Sequence, residues 1–142
     1  MVALLATVAL LVPAGTCTPT PTDGFGPFGR GMPPVRAKTG TGHVLTGVVI
    51  SALDCKPIAG ARVEFWQANR KGVYGRALSA TVFTGKDGRF RYQSPRPVSY
   101  EGRPAHIHIR VVAKNHEVLL TRYVPNGRRR GNVRLVLVPA RL

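Results

Sequence analysis

The segment AHIHIRVVA, residues 105–113, decides how this part of the chain folds. Its apolar residues alternate with other side chains, which is typical of a β-strand with one face in a core. Ile107 and Ile109 are therefore predicted to face the core. His106 and His108 are predicted to share the opposite face, because side chains two residues apart on a strand point the same way.

Similar short segments occur on both sides of this strand, and none has the periodicity of a helix. The 16 Gly and 12 Pro also disfavour long helices. Residues 85–88 contain an Asp-Gly step and predict a hairpin between the strands on either side. The sequence predicts an all-β domain over residues 43–142, an antiparallel β-sandwich of about seven to eight strands. The other strand-like segments are HVLTGVVISAL (43–53), ARVEFWQ (61–67), LSATVFT (78–84), RFRYQS (89–94), 118–123 and 133–138.

The N-terminal stretch has a different composition. Residues 1–14 contain a short apolar run followed by small residues, and they predict a signal peptide although a basic start is missing. A buried strand at the domain edge is the alternative. Residues 15–42 are rich in Thr, Pro and Gly and predict an extended N-terminal arm. We therefore expect a secreted or cell-envelope protein, and the short run excludes a spanning helix of about 20 apolar residues.

Two cysteines, Cys17 and Cys55, are present. In an exported chain an even pair predicts one disulfide, which would tie the arm to the first strands. Lipidation of Cys17 is a second interpretation, although the residues before it match a lipidation signal poorly. Two free thiols are the third.

The charge is strongly positive, with 21 Lys and Arg against 6 Asp and Glu and a formal net charge of +15. Such a surplus attracts nucleic acid or the polyanions of a cell envelope. However, the sequence contains no basic helix and no alternation of aromatic and basic residues that would stack bases. A nucleic-acid partner is not favoured, and an envelope polyanion remains an expectation.

His106 and His108 form a pair of neutral nitrogen donors suited to a transition metal, because they share one face of a strand. A His-x-His pair alone is weak support for a metal site. The other histidines, His43 and His116, are expected to be solvated rather than ligating.

Two tyrosines strengthen the metal prediction. Tyr100 lies six residues before the histidine pair in an irregular loop, and Tyr74 lies in a loop flanked by glycines. Two phenolates and two imidazoles form a hard, anionic set of oxygen and nitrogen donors that suits Fe(III). A bound ferric ion would also deprotonate both phenols at neutral pH.

Five segments, which include these four residues, carry a resemblance to a known family. The chain resembles the intradiol ring-cleavage dioxygenases, such as catechol 1,2-dioxygenase and protocatechuate 3,4-dioxygenase. Residues 17–28 are also similar to the N-terminal arm of exported members of that family. The matching segments are LTGVV (45–49), CKPIAGARVEFWQAN (55–69), GVY (72–74), TGKDGRF (84–90) and YEGRPAHIH (100–108).

The resemblance implies a role for each site residue. Tyr74 and His108 would be equatorial ligands of a non-haem Fe(III), and Tyr100 and His106 axial ligands. Tyr100 would also take up a substrate proton, and Arg103 would stabilise negative charge on the substrate ring. The implied reaction cleaves a catecholic aromatic ring with O2 to a cis,cis-muconate-type diacid.

The chain departs from the family pattern in two respects. Arg122 stands where the family commonly has a glutamine, on the oxygen or substrate side of the iron; it would favour an anionic catechol or block catalysis. The helical dimerisation region and long substrate loops of familiar members are missing. We therefore expect an open, shallow pocket that accepts bulky catechols, and the oligomeric state stays open, a homo-oligomer included.

Two rival functions remain. The pattern of glycines and apolar residues also resembles transthyretin-like and carboxypeptidase-regulatory sandwiches, which are metal-free binding modules. A catalytically degenerate family member that binds envelope polyanions is the other. The ordered tyrosines and histidines favour the enzyme, since a metal-free module has no need of them.

Overall fold

Seven strands form the framework of the protein in this computed structural model, which describes residues 17–23 and 31–141. The predicted signal peptide, residues 1–14, lies outside these residues. The strands are β1 (Gly42–Ser51), β2 (Arg62–Ala68), β3 (Tyr74–Phe83), β4 (Arg89–Pro95), β5 (Ile107–Val112), β6 (Leu119–Tyr123) and β7 (Arg130–Leu137). Within the described ranges no helix is long and apolar enough to cross a membrane.

The strands form two sheets packed face to face, which confirms the predicted β-sandwich. One sheet has the order β4-β1-β7 and the other β3-β2-β5-β6. All pairs are antiparallel except β1 and β7, which run parallel. A parallel pair requires a crossover connection. Here the chain forms the strands of the other sheet before β7 pairs with β1.

The core lies between the sheets and is built from the alternate residues of each strand. Ile107 is fully buried and Ile109 is 1% exposed, so the predicted core face of β5 is confirmed. Phe65 of β2 stacks on Tyr92 of β4, with ring centroids 4.3 Å apart. Aromatic contacts of this kind join the two sheets and bury large apolar surfaces.

The predicted hairpin at residues 85–88 is wrong. The tight turn forms, with the Gly88 amide donating to the Gly85 carbonyl at 2.9 Å. However, β3 pairs with β2 in one sheet and β4 pairs with β1 in the other. Thr84 anchors the end of β3 to the segment before β2, since its hydroxyl accepts from the Ala61 amide. A local turn signal therefore predicts a tight turn and leaves the strand partners undetermined.

His43 is not solvated as predicted. It is 1% exposed, because it occupies a core-facing position at the start of β1. Its Nε2 atom lies 3.0 Å from the Tyr123 hydroxyl at the end of β6, and burial lowers the pKa of His43. His116 remains at the surface side, with its Nε2 atom 2.9 Å from the Ser51 hydroxyl.

The described parts of the arm run along the edges of the sandwich. The Thr20 amide donates to the Val136 carbonyl, at the free edge of β7. On the opposite side Lys38 forms an isolated parallel bridge with Gln93 of β4. The arm therefore covers sheet edges that would otherwise expose unpaired backbone groups.

Candidate metal centre

Four side chains that are far apart in sequence meet at one end of the four-stranded sheet. Tyr74 is the first residue of β3, where the register between β2 and β3 shifts and pairs Tyr74 with Ala68. The prediction that Tyr74 lies in a loop is therefore wrong. His108 lies on β5 and His106 directly precedes that strand. Tyr100 comes from the loop between β4 and β5.

Three of the donor atoms form a nearly equilateral triangle. The Tyr74 Oη atom is 3.1 Å from His108 Nε2 and 3.3 Å from His106 Nε2, and the two Nε2 atoms are 3.1 Å apart. The centre of such a triangle lies about 1.8 Å from each corner, so a point slightly above its plane reaches roughly 2.0–2.1 Å, the length of a metal–imidazole bond. The Tyr100 hydroxyl contacts the Tyr74 hydroxyl and adds a fourth donor, the second oxygen of the set.

The His106 ring is held in the orientation that metal binding requires. Its Nδ1 atom lies 2.7 Å from the Pro104 carbonyl, which can only accept, so Nδ1 carries the proton and donates. In the neutral ring Nε2 then presents its lone pair to the other donors. A backbone partner of this kind fixes both the tautomer and the ring angle of a metal-ligating histidine.

His108 is also suited to be a neutral ligand. Burial, together with the positive charge that His106 can carry, lowers the pKa of His108 to about 4. The imidazole is therefore uncharged at neutral pH and keeps a lone pair available.

Tyr74 keeps its proton unless a metal ion binds beside it. Burial is the main cause that raises the pKa of Tyr74, and the hydrogen bond with Tyr100 raises it further, while the charge of Arg103 opposes both. A bound metal ion supplies the missing positive charge and would ionise the phenol. Within residues 17–23 and 31–141, no three His, Cys, Asp or Glu side chains form a group that could hold a metal. A metal at this point therefore depends on the two tyrosines.

A family model described as Dioxygenase matches residues 32–129, a range that contains all four converging side chains. The chain belongs to the intradiol ring-cleavage dioxygenase family. The sequence resemblance is thereby confirmed at the level of the family.

Individual relatives agree with this assignment. Catechol 1,2-dioxygenase 1 of Acinetobacter lwoffii is 30% identical over 106 residues, covering 55% of this chain and 34% of that protein. The chain spans about a third of the length of the curated relatives it matches.

Solved structures extend the comparison. The dioxygenase domain of a dioxygenase carbohydrate-binding protein fusion from Streptomyces sp. SirexAA-E has a TM-score of 0.75 and 28% identity, covering 87% of this chain and 100% of that one. An intradiol ring-cleavage dioxygenase from Tetranychus urticae has a TM-score of 0.69 and 25% identity, with 76% and 65% covered.

In this member of the dioxygenase family, a tight turn at residues 100–103 brings Tyr100 and Arg103 close to each other. The backbone of the two residues is paired in both directions, with N–O distances of 2.8 and 3.3 Å. Glu101 and Gly102 between them both have positive φ, 47° and 71°, which is the geometry of a type I′ turn. Gly72 makes room for the turn, because a Cβ there would lie 3.3 Å from the Tyr100 ring.

Arg122, the departure from the family pattern, lies next to His108. The two residues are Cα partners across β5 and β6, so their side chains share a face. The Arg122 Nε atom is 2.7 Å from a carboxylate oxygen of Asp23, whose own amide donates to the Leu120 carbonyl. Asp23 was not predicted from the sequence, because nothing in a Thr- and Pro-rich arm signals that its single acid pairs with a residue at the site.

Cys17 and Cys55 form a disulfide bond, which attaches the arm near the turn after β1. The described arm residues 17–23 then run along β7 towards β6, where Asp23 meets Arg122. The crosslink thus connects the far end of the sandwich to the segment that carries Asp23.

Proposed function

We propose that the protein is a non-haem Fe(III) intradiol dioxygenase that cleaves a catecholic aromatic ring with O2 to a cis,cis-muconate-type diacid. The observation that carries this proposal is the convergence of Tyr74, Tyr100, His106 and His108, with three donor atoms spaced to share one ion. Membership of the family supports the same reaction class.

The donor set fits ferric iron. Two phenol oxygens become anionic ligands on ionisation and the two imidazoles are neutral, so the set is hard and carries no thiolate. Fe(III) bound there would supply the Lewis acidity that binds a catechol as a dianion and makes its ring reactive towards O2.

The four residues of the site have different roles. Tyr74 and the two histidines contact one another and lie on or beside strands, so they form the fixed part of the site. Tyr100 lies on a turn and contacts this group through the Tyr74 hydroxyl. A catechol that binds as a dianion must give up two protons, and the Tyr100 Oη atom is placed to accept one of them.

Two arginines select the charge of the substrate. Arg103 follows Tyr100 in the tight turn and lowers the pKa of both Tyr74 and His108 through its positive charge. It can stabilise negative charge that develops on a bound ring. Arg122 adds a second guanidinium on the His108 side, and we infer a preference for catechols that carry a carboxylate.

The substrate enters from an open surface. A cleft of about 500 Å³ is lined by residues 99–104, including Tyr100 and Arg103. Because the cleft beside the donor atoms is open, it has room for catechols with bulky substituents as well as for free catechol.

We further propose that the protein works in the cell envelope or outside the cell. The disulfide between Cys17 and Cys55 supports this location, because such bonds persist in oxidising compartments.

The test is a visible absorption spectrum of the purified protein with its iron content, before and after anaerobic addition of catechol, followed by turnover with O2. We expect a tyrosinate-to-iron band that shifts with catechol. Tyr74→Phe and Tyr100→Phe should each weaken or shift the band. Tyr123→Phe is the matched control, because its hydroxyl contacts His43 away from the donors.

Three outcomes separate the candidate functions. A shifting band with ring cleavage supports the proposal. A shifting band without cleavage of simple, bulky or carboxylated catechols favours a degenerate iron-binding member. A colourless protein that takes up no iron leaves the metal-free binding module.

A further inference from the structure

The outer face of the three-stranded sheet carries a regular array of cations. On this face β1 contributes Val44, Thr46 and Val48, which alternate with core residues. β4 and β7 lie on either side of β1 and place arginines beside these positions. The array, which we call the basic face, consists of Lys38, Arg89, Arg91, Arg130 and Arg134, all of them exposed.

The strand register sets the spacing of the basic face. Arg91 and Asn132 flank Thr46, while Arg89 and Arg134 flank Val48. Because strands are about 4.8 Å apart and residues two apart on a strand are separated by roughly 7 Å, the two arginine columns stand roughly 10 Å from each other. Lys38 forms an isolated bridge with Gln93 of β4 and so adds a cation beside the β4 column. The cations therefore border a flat strip rather than a pocket.

Negative charge is absent from the strands of this face. β1, β4 and β7 contain no Asp or Glu. Of the six acids in the sequence, Glu64 is buried on the other sheet and Asp23 pairs with Arg122 there. Asp87 reaches Arg89 at 3.8 Å, a contact between two exposed side chains that contributes little. The positive charge of the basic face is thus largely uncompensated.

The strip between the arginine columns consists of Val44, Thr46 and Val48 and carries no aromatic ring. Asn132 donates to the Thr46 hydroxyl at 2.8 Å, and Gln93 lies at the same level as Val44. Amide and hydroxyl groups of this kind can hydrogen-bond the hydroxyls of a sugar chain. Without aromatic side chains the face offers no platform on which bases could stack.

We propose that the basic face binds an acidic polysaccharide, a linear glycan with a carboxylate or sulfate on its repeating units. The arginine columns would contact anions on the two sides of the chain, and Thr46, Asn132 and Gln93 would contact its hydroxyls. Arginine suits this role because its planar fork matches carboxylate and sulfate oxygens.

The basic face is independent of the metal centre. His108 and Arg122 lie on the four-stranded sheet, on the side away from the core, and His106 directly precedes β5 of that sheet. The two sheets pack with their inner faces together, so their outer faces point in opposite directions. A bound glycan would leave the access to the metal centre open, so glycan binding does not depend on the proposed reaction.

The experiment measures binding of the full chain to polygalacturonate at about 0.1 M salt, with neutral dextran and duplex DNA as comparison polymers. The face variant is Arg91→Gln/Arg130→Gln. The matched control is Arg76→Gln/Lys114→Gln, which removes the same charge from exposed positions elsewhere. A second pair, Arg89→Gln/Arg134→Gln, tests the face independently if the first variant folds poorly.

The expected result is a loss of affinity for polygalacturonate of about tenfold in each face variant, since each exposed ion pair contributes a few-fold. The control should change affinity by less than threefold. Polygalacturonate should bind more tightly than DNA at equal charge, and dextran should not bind. Sulfated dextran in place of polygalacturonate distinguishes sulfate from carboxylate recognition.

Equal losses in the face and control variants would overturn the proposal, because total charge alone would then explain binding. Tighter binding to DNA, or no binding to either acidic glycan, would overturn it as well. Tyr100→Phe should bind polygalacturonate as the unmodified chain does, whether or not the proposed dioxygenase activity is found.

Discussion

Removal of the disulfide is expected to lower the free energy of unfolding by about 4 kcal/mol. Cys17 and Cys55 are 38 residues apart in sequence. For a loop of this size the loss of entropy in the unfolded chain is about 13 cal/mol/K, which corresponds to about 3.9 kcal/mol at 25 °C. For a chain of this length the melting temperature should fall by roughly 12–16 °C. The contacts of Thr20 and Asp23 can persist without the bond, so the effect acts mainly through the unfolded state.

The assay is urea unfolding of the unmodified protein and of Cys17→Ser/Cys55→Ser, each with and without reductant. Reductant should destabilise the unmodified protein and leave the double variant unchanged. The slope of free energy against urea should be larger in the double variant, because its unfolded chain is less compact. The single variant Cys55→Ser is expected to match the double variant in stability.

A difference below about 1 kcal/mol between the unmodified protein and the double variant would refute the entropy argument, which predicts about four times as much. Free thiols detected in the unmodified protein without reductant would refute the bond itself. Equal sensitivity of both proteins to reductant would show that some other group responds.

Three further predictions concern the core, the pH dependence and the substrate. Gly47→Ala should lower the free energy of unfolding in urea by about 1–3 kcal/mol, since a Cβ there would lie 2.5 Å from the Phe90 ring and 2.7 Å from a carbonyl oxygen. Gly75→Ala is the control, because a Cβ there would have nothing within 4 Å, and an equal loss of stability in both variants would contradict the packing argument. Burial lowers the pKa of His43, so the unfolded chain binds the proton more readily and stability should fall as the pH drops below 6.5; unfolding at several pH values should show a shallower fall in His43→Gln, and an unchanged slope would exclude His43 as the cause. Arg122→Gln should reduce the ratio of kcat/KM for a carboxylated catechol to that for catechol about fivefold, and a ratio that does not change would remove Arg122 from substrate selection.

The alternation of apolar residues predicted the sandwich and the core face of β5 correctly. That pattern is local, since strand geometry places every second side chain on one face. The pairing of strands is not local. The turn at residues 85–88 separates two sheets, and β7 lies parallel to β1, because these arrangements depend on which strands the rest of the chain brings alongside. His43 was misjudged for the same reason, as its partner Tyr123 is 80 residues away.

Residue chemistry determined the candidate site from the sequence alone. Phenols and imidazoles have donor properties that do not depend on the fold, and the order Tyr74, Tyr100, His106, His108 could be read directly from the chain. Their convergence to within 3.3 Å was decided by the register shift between β2 and β3 and by the turn at residues 100–103.

Two features were decided only by the tertiary structure. The net charge of +15 was plain from composition, but the alignment of Arg89, Arg91, Arg130 and Arg134 on one outer face follows from the registers of β4 and β7 against β1. The pairing of Asp23 with Arg122 likewise required the arm to cross two strands. Sequence determines what each side chain can do through its chemistry and local periodicity, whereas long-range strand pairing determines which side chains meet.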